Sequence, residues 1–95
     1  MLTFEEFHCA NYGCFIFAGE TVTGRRVRFD IGSLILQDVL HGGNPVHDDA
    51  NEALCDRERR RIEAACRRAF SIRPSERIEL EPGDFNDDEK PDRTS

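Results

Sequence analysis

Four cysteines, three histidines and a run of arginines are the residues of this chain whose types and spacing could do chemistry. Nucleophilic catalysis needs a thiol or hydroxyl within hydrogen-bond reach of a histidine, with an orienting group behind it. His8 and Cys9 are neighbours, and neighbouring side chains usually point apart. Ordinary thiols are therefore expected there, and no catalytic residue is assigned. The spacings Cys9-x4-Cys14 and Cys55-x10-Cys66 are not the paired C-x2-C knuckles of a zinc site. The first residues, Met1-Leu2-Thr3-Phe4-Glu5-Glu6, lack the basic and apolar regions of a secretory signal. A cytoplasmic chain keeps its thiols reduced. The expectation is four free cysteines, no disulfide and no zinc, with Cys55 and Cys66 serving as small buried hydrophobes. On one helix those two lie about 16 Å apart and cannot bridge each other.

One grouping could hold a divalent ion: His41, His47, Asp48 and Asp49, if the loop carrying them folds back. The same two aspartates are also positioned to cap the helix that follows, and that structural role is preferred. Gly42-Gly43 lacks the partners of a phosphate-cradling loop. No metal or cofactor is expected. Glu58 falls inside the apolar arc of a predicted helix, where a carboxylate can have a raised pKa. A lone carboxylate is not an acid–base set, and pairing with Arg61 or Arg28 explains it as well.

The arginines form the remaining signal. The chain carries 19 acids against 13 bases, a formal charge of −6 in 95 residues, which disfavours nonspecific coating of nucleic acid. The charge is polarised, however. Residues 57–73 hold seven arginines against Glu58 and Glu63, a net of +5, and residues 79–95 a net of −5. At 100° per residue Arg57, Arg60, Arg61, Arg67 and Arg68 project within an arc of about 120°. Such a stripe can bind phosphates through the planar fork of arginine. Against that, it lacks interleaved surface aromatics and a recognition-helix signature. A solvated helix face laced by ion pairs is the preferred reading.

These residues must be positioned by a small fold. Domains usually run to about 100–150 residues, so one domain is expected over residues 1–85. The stretch 86–95 has no apolar residue and is expected to be a disordered acidic tail. Residues 14–20 and 26–31 read as a β-hairpin, with Gly24 supplying a positive φ in the turn. Val27, Phe29 and Ile31 alternate with Arg26, Arg28 and Asp30, placing the first three inward. On the first arm Phe15 and Phe17 are assigned to the buried face and Ile16 to the other. Ser33 caps a short helix over 34–40, stopped by Gly42-Gly43. A long amphipathic helix is predicted over 50–70, burying Leu54, Ile62 and Ala65, and residues 77–80 form a short strand. The fold class is α+β: a small antiparallel sheet of about three strands, in chain order β-β-α-α-β, packed against two helices.

The pattern resembles a family of small bacterial proteins catalogued as domain of unknown function 1488. The residues that carry the resemblance are Val27, Phe29 and Ile31 after a Gly-Arg turn, and the I-x-S-L of the short helix. Arg59, Ile62, Glu63, Ala64 and Ala65 of the long helix, and the I-x-L strand before Asp84-Phe85, complete it. Cys55 departs from the pattern, where a bulky aromatic is expected. The resemblance implies a compact cytosolic α+β domain and no activity.

No biochemical activity is assignable from these residues. The expectation is a small cytoplasmic, non-enzymatic binding or adaptor module with a protein partner or a second copy of itself, and no membrane. The alternative is a nucleic-acid-associated accessory protein using Arg57, Arg60, Arg61, Arg67 and Arg68.

Overall fold

In the computed structural model, which describes residues 2–10, 13–40 and 48–85, the predicted hairpin is the centre of a larger sheet. Its arms are β2 (Gly13–Glu20) and β3 (Arg26–Ile31), flanked by β1 (Leu2–Ala10) and β4 (Arg77–Glu79). The strand order is β1-β2-β3-β4, antiparallel except that β4 runs parallel to β3. The α+β class therefore holds, with four strands in a mixed sheet where about three antiparallel strands were expected. A parallel neighbour needs a long crossover. Residues 32–76 supply it, carrying a turn of π-helix (Ile35–Val39) and then α1 (Asp48–Arg57) and α2 (Arg59–Ile72).

The hairpin closes as its residues require. Gly24 has φ 75°, a conformation glycine adopts without a Cβ penalty. Its N–H donates to the Glu20 carbonyl at 2.7 Å, and the Glu20 N–H donates to the Arg25 carbonyl at 2.7 Å. The Glu20 carboxylate accepts from both the N–H and the hydroxyl of Thr23, each at 2.6 Å. Those donors hold its pKa below the ordinary value.

β1 is the element the sequence reading did not assign, although its signal is present. Leu2 and Phe4 keep one alternation, Phe7 and Cys9 another, and Glu5-Glu6 shift the phase by one residue. The strand has an irregularity at that step: Phe4 pairs with Ala18 and Phe7 with Ile16, three residues against two. A β-bulge absorbs the extra residue, so all four apolar side chains turn to the helix side.

Val27, Phe29 and Ile31 are buried, as are Leu54, Ile62 and Ala65. On β2 the face assignment is reversed. Ile16 and Ala18 are fully buried, whereas Phe15 and Phe17 are only half-buried on the opposite side. The cause is register: Ile16 stands across from Phe29 and Ala18 across from Val27. Residues directly opposite share a face, and a shift of one would invert every side chain.

The helical layer also departs from expectation. The π-turn is wider than an α-helix (the Leu40 N–H donates to the Ile35 carbonyl at 3.0 Å). It buries Ile35, Leu36, Val39 and Leu40 together and leaves Leu34 exposed. The predicted long helix is two helices, interrupted at Glu58 (φ −98°, ψ 20°). α2 buries Ile62, Ala65, Cys66 and Ala69, all of them part of the same core as Ala18 and Val27. One hydrophobic core unites the described elements. Among the described residues no helix is long and apolar enough to cross a membrane.

Candidate binding surface on the open face of the sheet

Helices cover one face of the sheet; the other carries every second residue of β2 and β3. Phe15 and Phe17 meet edge to face, with ring centroids 5.6 Å apart. His8 of β1 stacks on Phe15 at 5.2 Å. Arg28 places its guanidinium carbon 4.0 Å above the Phe15 ring, and Arg26 does the same over Phe17 at 3.9 Å. The negative face of an aromatic ring attracts a cation at this distance, so each phenylalanine is partly lidded by an arginine.

Acids hold those arginines in place. Arg26 donates two bonds to Glu5, at 2.7 and 3.1 Å. The contact lowers the Glu5 pKa and raises that of Arg26. Asp30 accepts from Arg28 at 2.8 Å and from Arg77 of β4 at 2.7 Å, tying β3 to the sheet edge. The outcome is a platform of aromatic rings and guanidinium planes, one fork of which is matched bidentately by a carboxylate. Sequence reasoning missed it because the platform depends on which way β2 faces. The signal that could have found it is the phase of β3: with Val27 and Phe29 inward, their partners fix the facing of β2.

The predicted arginine stripe is distributed differently from its helical projection. Arg57 lies on α1 and the other members on α2, across the break at Glu58. Arg57 and Arg60 are exposed, and the Arg57 side chain donates to Glu58 at 3.2 Å. Arg61 is half-buried, donating to the Val39 carbonyl at 3.4 Å and to Glu58 at 3.5 Å. Arg67 pairs with Glu63 at 3.6 Å and lies 5.1 Å from the Phe4 ring. Arg68 is half-buried. Two arginines outside the predicted set act as clamps. Arg59 donates to the Glu5 carbonyl and to the Glu63 carboxylate, both at 2.7 Å. Arg73 grips the buried carboxylate of Asp84. Much of the positive charge of residues 57–73 is thus engaged inside the fold.

Glu58 accepts from Arg57 and Arg61, while Arg28 goes to Asp30, so of the two partners weighed for Glu58 the structure selects Arg61. The candidate ion group is only partly visible: His41, His47 and the Asp48 side chain lie outside the described residues, and Asp49 is exposed at the start of α1. The segment 86–95 lies outside them as well.

The cysteines require a correction. Cys9 and Cys14 form a disulfide, with Cα atoms 4.0 Å apart, where four free thiols were expected. The expectation took no account of strand pairing: β1 and β2 form a hairpin that sets Cys9 directly opposite Cys14. The inference from a cytoplasmic location to reduced thiols fails at this pair. Cys55 and Cys66 are free and buried, as expected. Burial pushes the Cys55 thiol up to about 12, helped by Asp56 and Glu52, and moves Cys66 in the same direction. His8 and Cys9 do point apart, His8 onto Phe15 and Cys9 into the disulfide. No family model, no curated protein and no solved structure matches this chain.

Proposed function

We propose that this chain is a non-enzymatic binding module whose contact surface is the open face of its sheet, facing a protein partner. One observation carries this reading: Phe15, Phe17 and His8 form a half-exposed aromatic cluster on the sheet, with Arg26 over Phe17 and Arg28 over Phe15. Aromatic residues and arginine dominate the binding energy of protein interfaces. A platform already ordered by its own ion pairs loses little side-chain entropy on binding.

The nucleic-acid reading draws support from the same surface. Rings interleaved with guanidinium planes are what stacked bases require, and the helix stripe alone lacked them. Arg57 and Arg60 remain exposed as outlying phosphate contacts on the other layer.

The two readings separate in one experiment. Tagged wild-type protein and the Phe15→Ala/Phe17→Ala variant are used to capture partners from cell extract, with and without nuclease. The protein reading expects a defined set of bound proteins that resists nuclease, disappears with Phe15→Ala/Phe17→Ala, and persists in Arg57→Ala/Arg60→Ala. Loss of all binding after nuclease, with a steep decline as salt rises, would instead assign the platform to nucleic acid. Equal capture by wild type and the phenylalanine variant would remove the sheet face from both.

A further inference from the structure

The sulfur atoms of Cys9, Cys14 and Cys55 all lie within 4.8 Å of one another. Three elements produce this convergence. The β1–β2 register puts Cys9 opposite Cys14 on the helix side of the sheet, and α1, packed on both strands, brings Cys55 over them. Cys14 and Cys55 are buried and Cys9 is half-buried. Cys66, although buried on α2, does not belong to the cluster.

We propose that Cys9, Cys14 and Cys55 bind one soft, filled-shell metal cation when the Cys9–Cys14 disulfide is reduced, and that the disulfide closes this site. The proposal is independent of the sheet-face reading. A metal–sulfur bond of about 2.3 Å in a three-sulfur plane spaces the sulfurs about 4 Å apart. The Cys55 sulfur, within 4.8 Å of the other two, has at most about 1 Å to move to reach that spacing, and the two sulfurs now bonded to each other must separate. A dithiol reductant opens the bond: its two electrons and two protons pass to Cys9 and Cys14, and the dithiol leaves as a disulfide. The entering cation then displaces the thiol protons to solvent, one for each thiolate it binds. Sulfur-only coordination selects the Cu+ and Zn2+ class over harder ions. Cu+ is satisfied by the three sulfurs, whereas Zn2+ takes a fourth ligand, for which water has access at half-buried Cys9.

The test uses the full chain, reduced with excess dithiol and then freed of dithiol and metal under nitrogen. It is titrated with Zn2+, and separately with Cu+, against a chromogenic chelator. The expected result is one equivalent of at least one ion. The same protein reoxidised is expected to take up none. Cys55→Ala is expected to lose the binding and Cys66→Ala to keep it. Because Cys55→Ala removes a buried side chain and could fail to fold, the reduced and oxidised wild type provide the comparison that needs no variant. Absence of uptake by the reduced protein, equal uptake in both redox states, or full affinity in folded Cys55→Ala would overturn the proposal.

Discussion

Arg73, just beyond the end of α2, grips the carboxylate of Asp84 with hydrogen bonds of 2.9 and 3.2 Å. Asp84 is 5 % exposed and also accepts the Glu81 N–H at 2.8 Å. The contact closes the 3-10 turn Pro82–Phe85, the last of the described elements, over the core, where Phe85 is fully buried. A buried carboxylate that loses a charged donor keeps its desolvation penalty. Arg73→Ala is therefore expected to destabilise the fold by about 1–3 kcal/mol, discounted because the arginine itself is partly solvated. Asp84→Asn, which retains an acceptor, should cost less. Urea denaturation of the two variants checks the order, and equal losses would show that the charge is immaterial.

The facing of β2 is directly measurable. Ile16→Ala removes a fully buried side chain opposite Phe29 and is expected to cost about 2–4 kcal/mol. Phe15→Ala removes a larger but half-exposed ring and should cost about 1–2 kcal/mol. The smaller residue thus matters more. A larger loss for Phe15→Ala in the same denaturation experiment would mean that the strand faces the other way.

Reduction of the Cys9–Cys14 disulfide should lower stability modestly. The bridged residues are five apart, and closing so short a loop removes little entropy from the unfolded chain, about 2 kcal/mol. Folding midpoints with and without reductant, both in metal chelator, give the value. A fold lost altogether on reduction would show that the bridge does more than restrain the hairpin.

The buried thiols predict a loss of stability in alkali. In the folded chain Cys55 ionises only near pH 12, whereas an unhindered thiol does so near 9.0. Cys66 is shifted the same way. The folded state therefore holds these protons more tightly than the unfolded state does. Their contribution is full below pH 9 and drains away as pH rises from 9 towards 12. Denaturation midpoints in metal-free buffer should fall between pH 8 and pH 10, and the Cys55→Ala/Cys66→Ala variant should show a shallower fall. Native protein should also resist alkylation at both positions at pH 8, where these thiols are neutral and buried.

Local pattern was enough for the interior faces of β3 and α2. Val27, Phe29 and Ile31 alternate with charges, and Ile62, Ala65 and Ala69 recur at helical spacing, so each element's own period names its buried side. The turn at Gly24 was equally legible, because positive φ is a property of the residue itself. Local pattern could not orient β2, where residues 14–18 are apolar on both sides; the face was chosen by pairing with Phe29 and Val27. The same holds for β1, whose phase shift at Glu5-Glu6 makes sense only against a partner strand that absorbs the bulge. The disulfide, the three-sulfur cluster and the arginine-capped rings are all contacts between residues brought together by register and layering. Side-chain types were written in the chain, but their neighbours were decided by the tertiary fold: hydrophobic burial acts on faces, and a face exists only once strands and helices are paired.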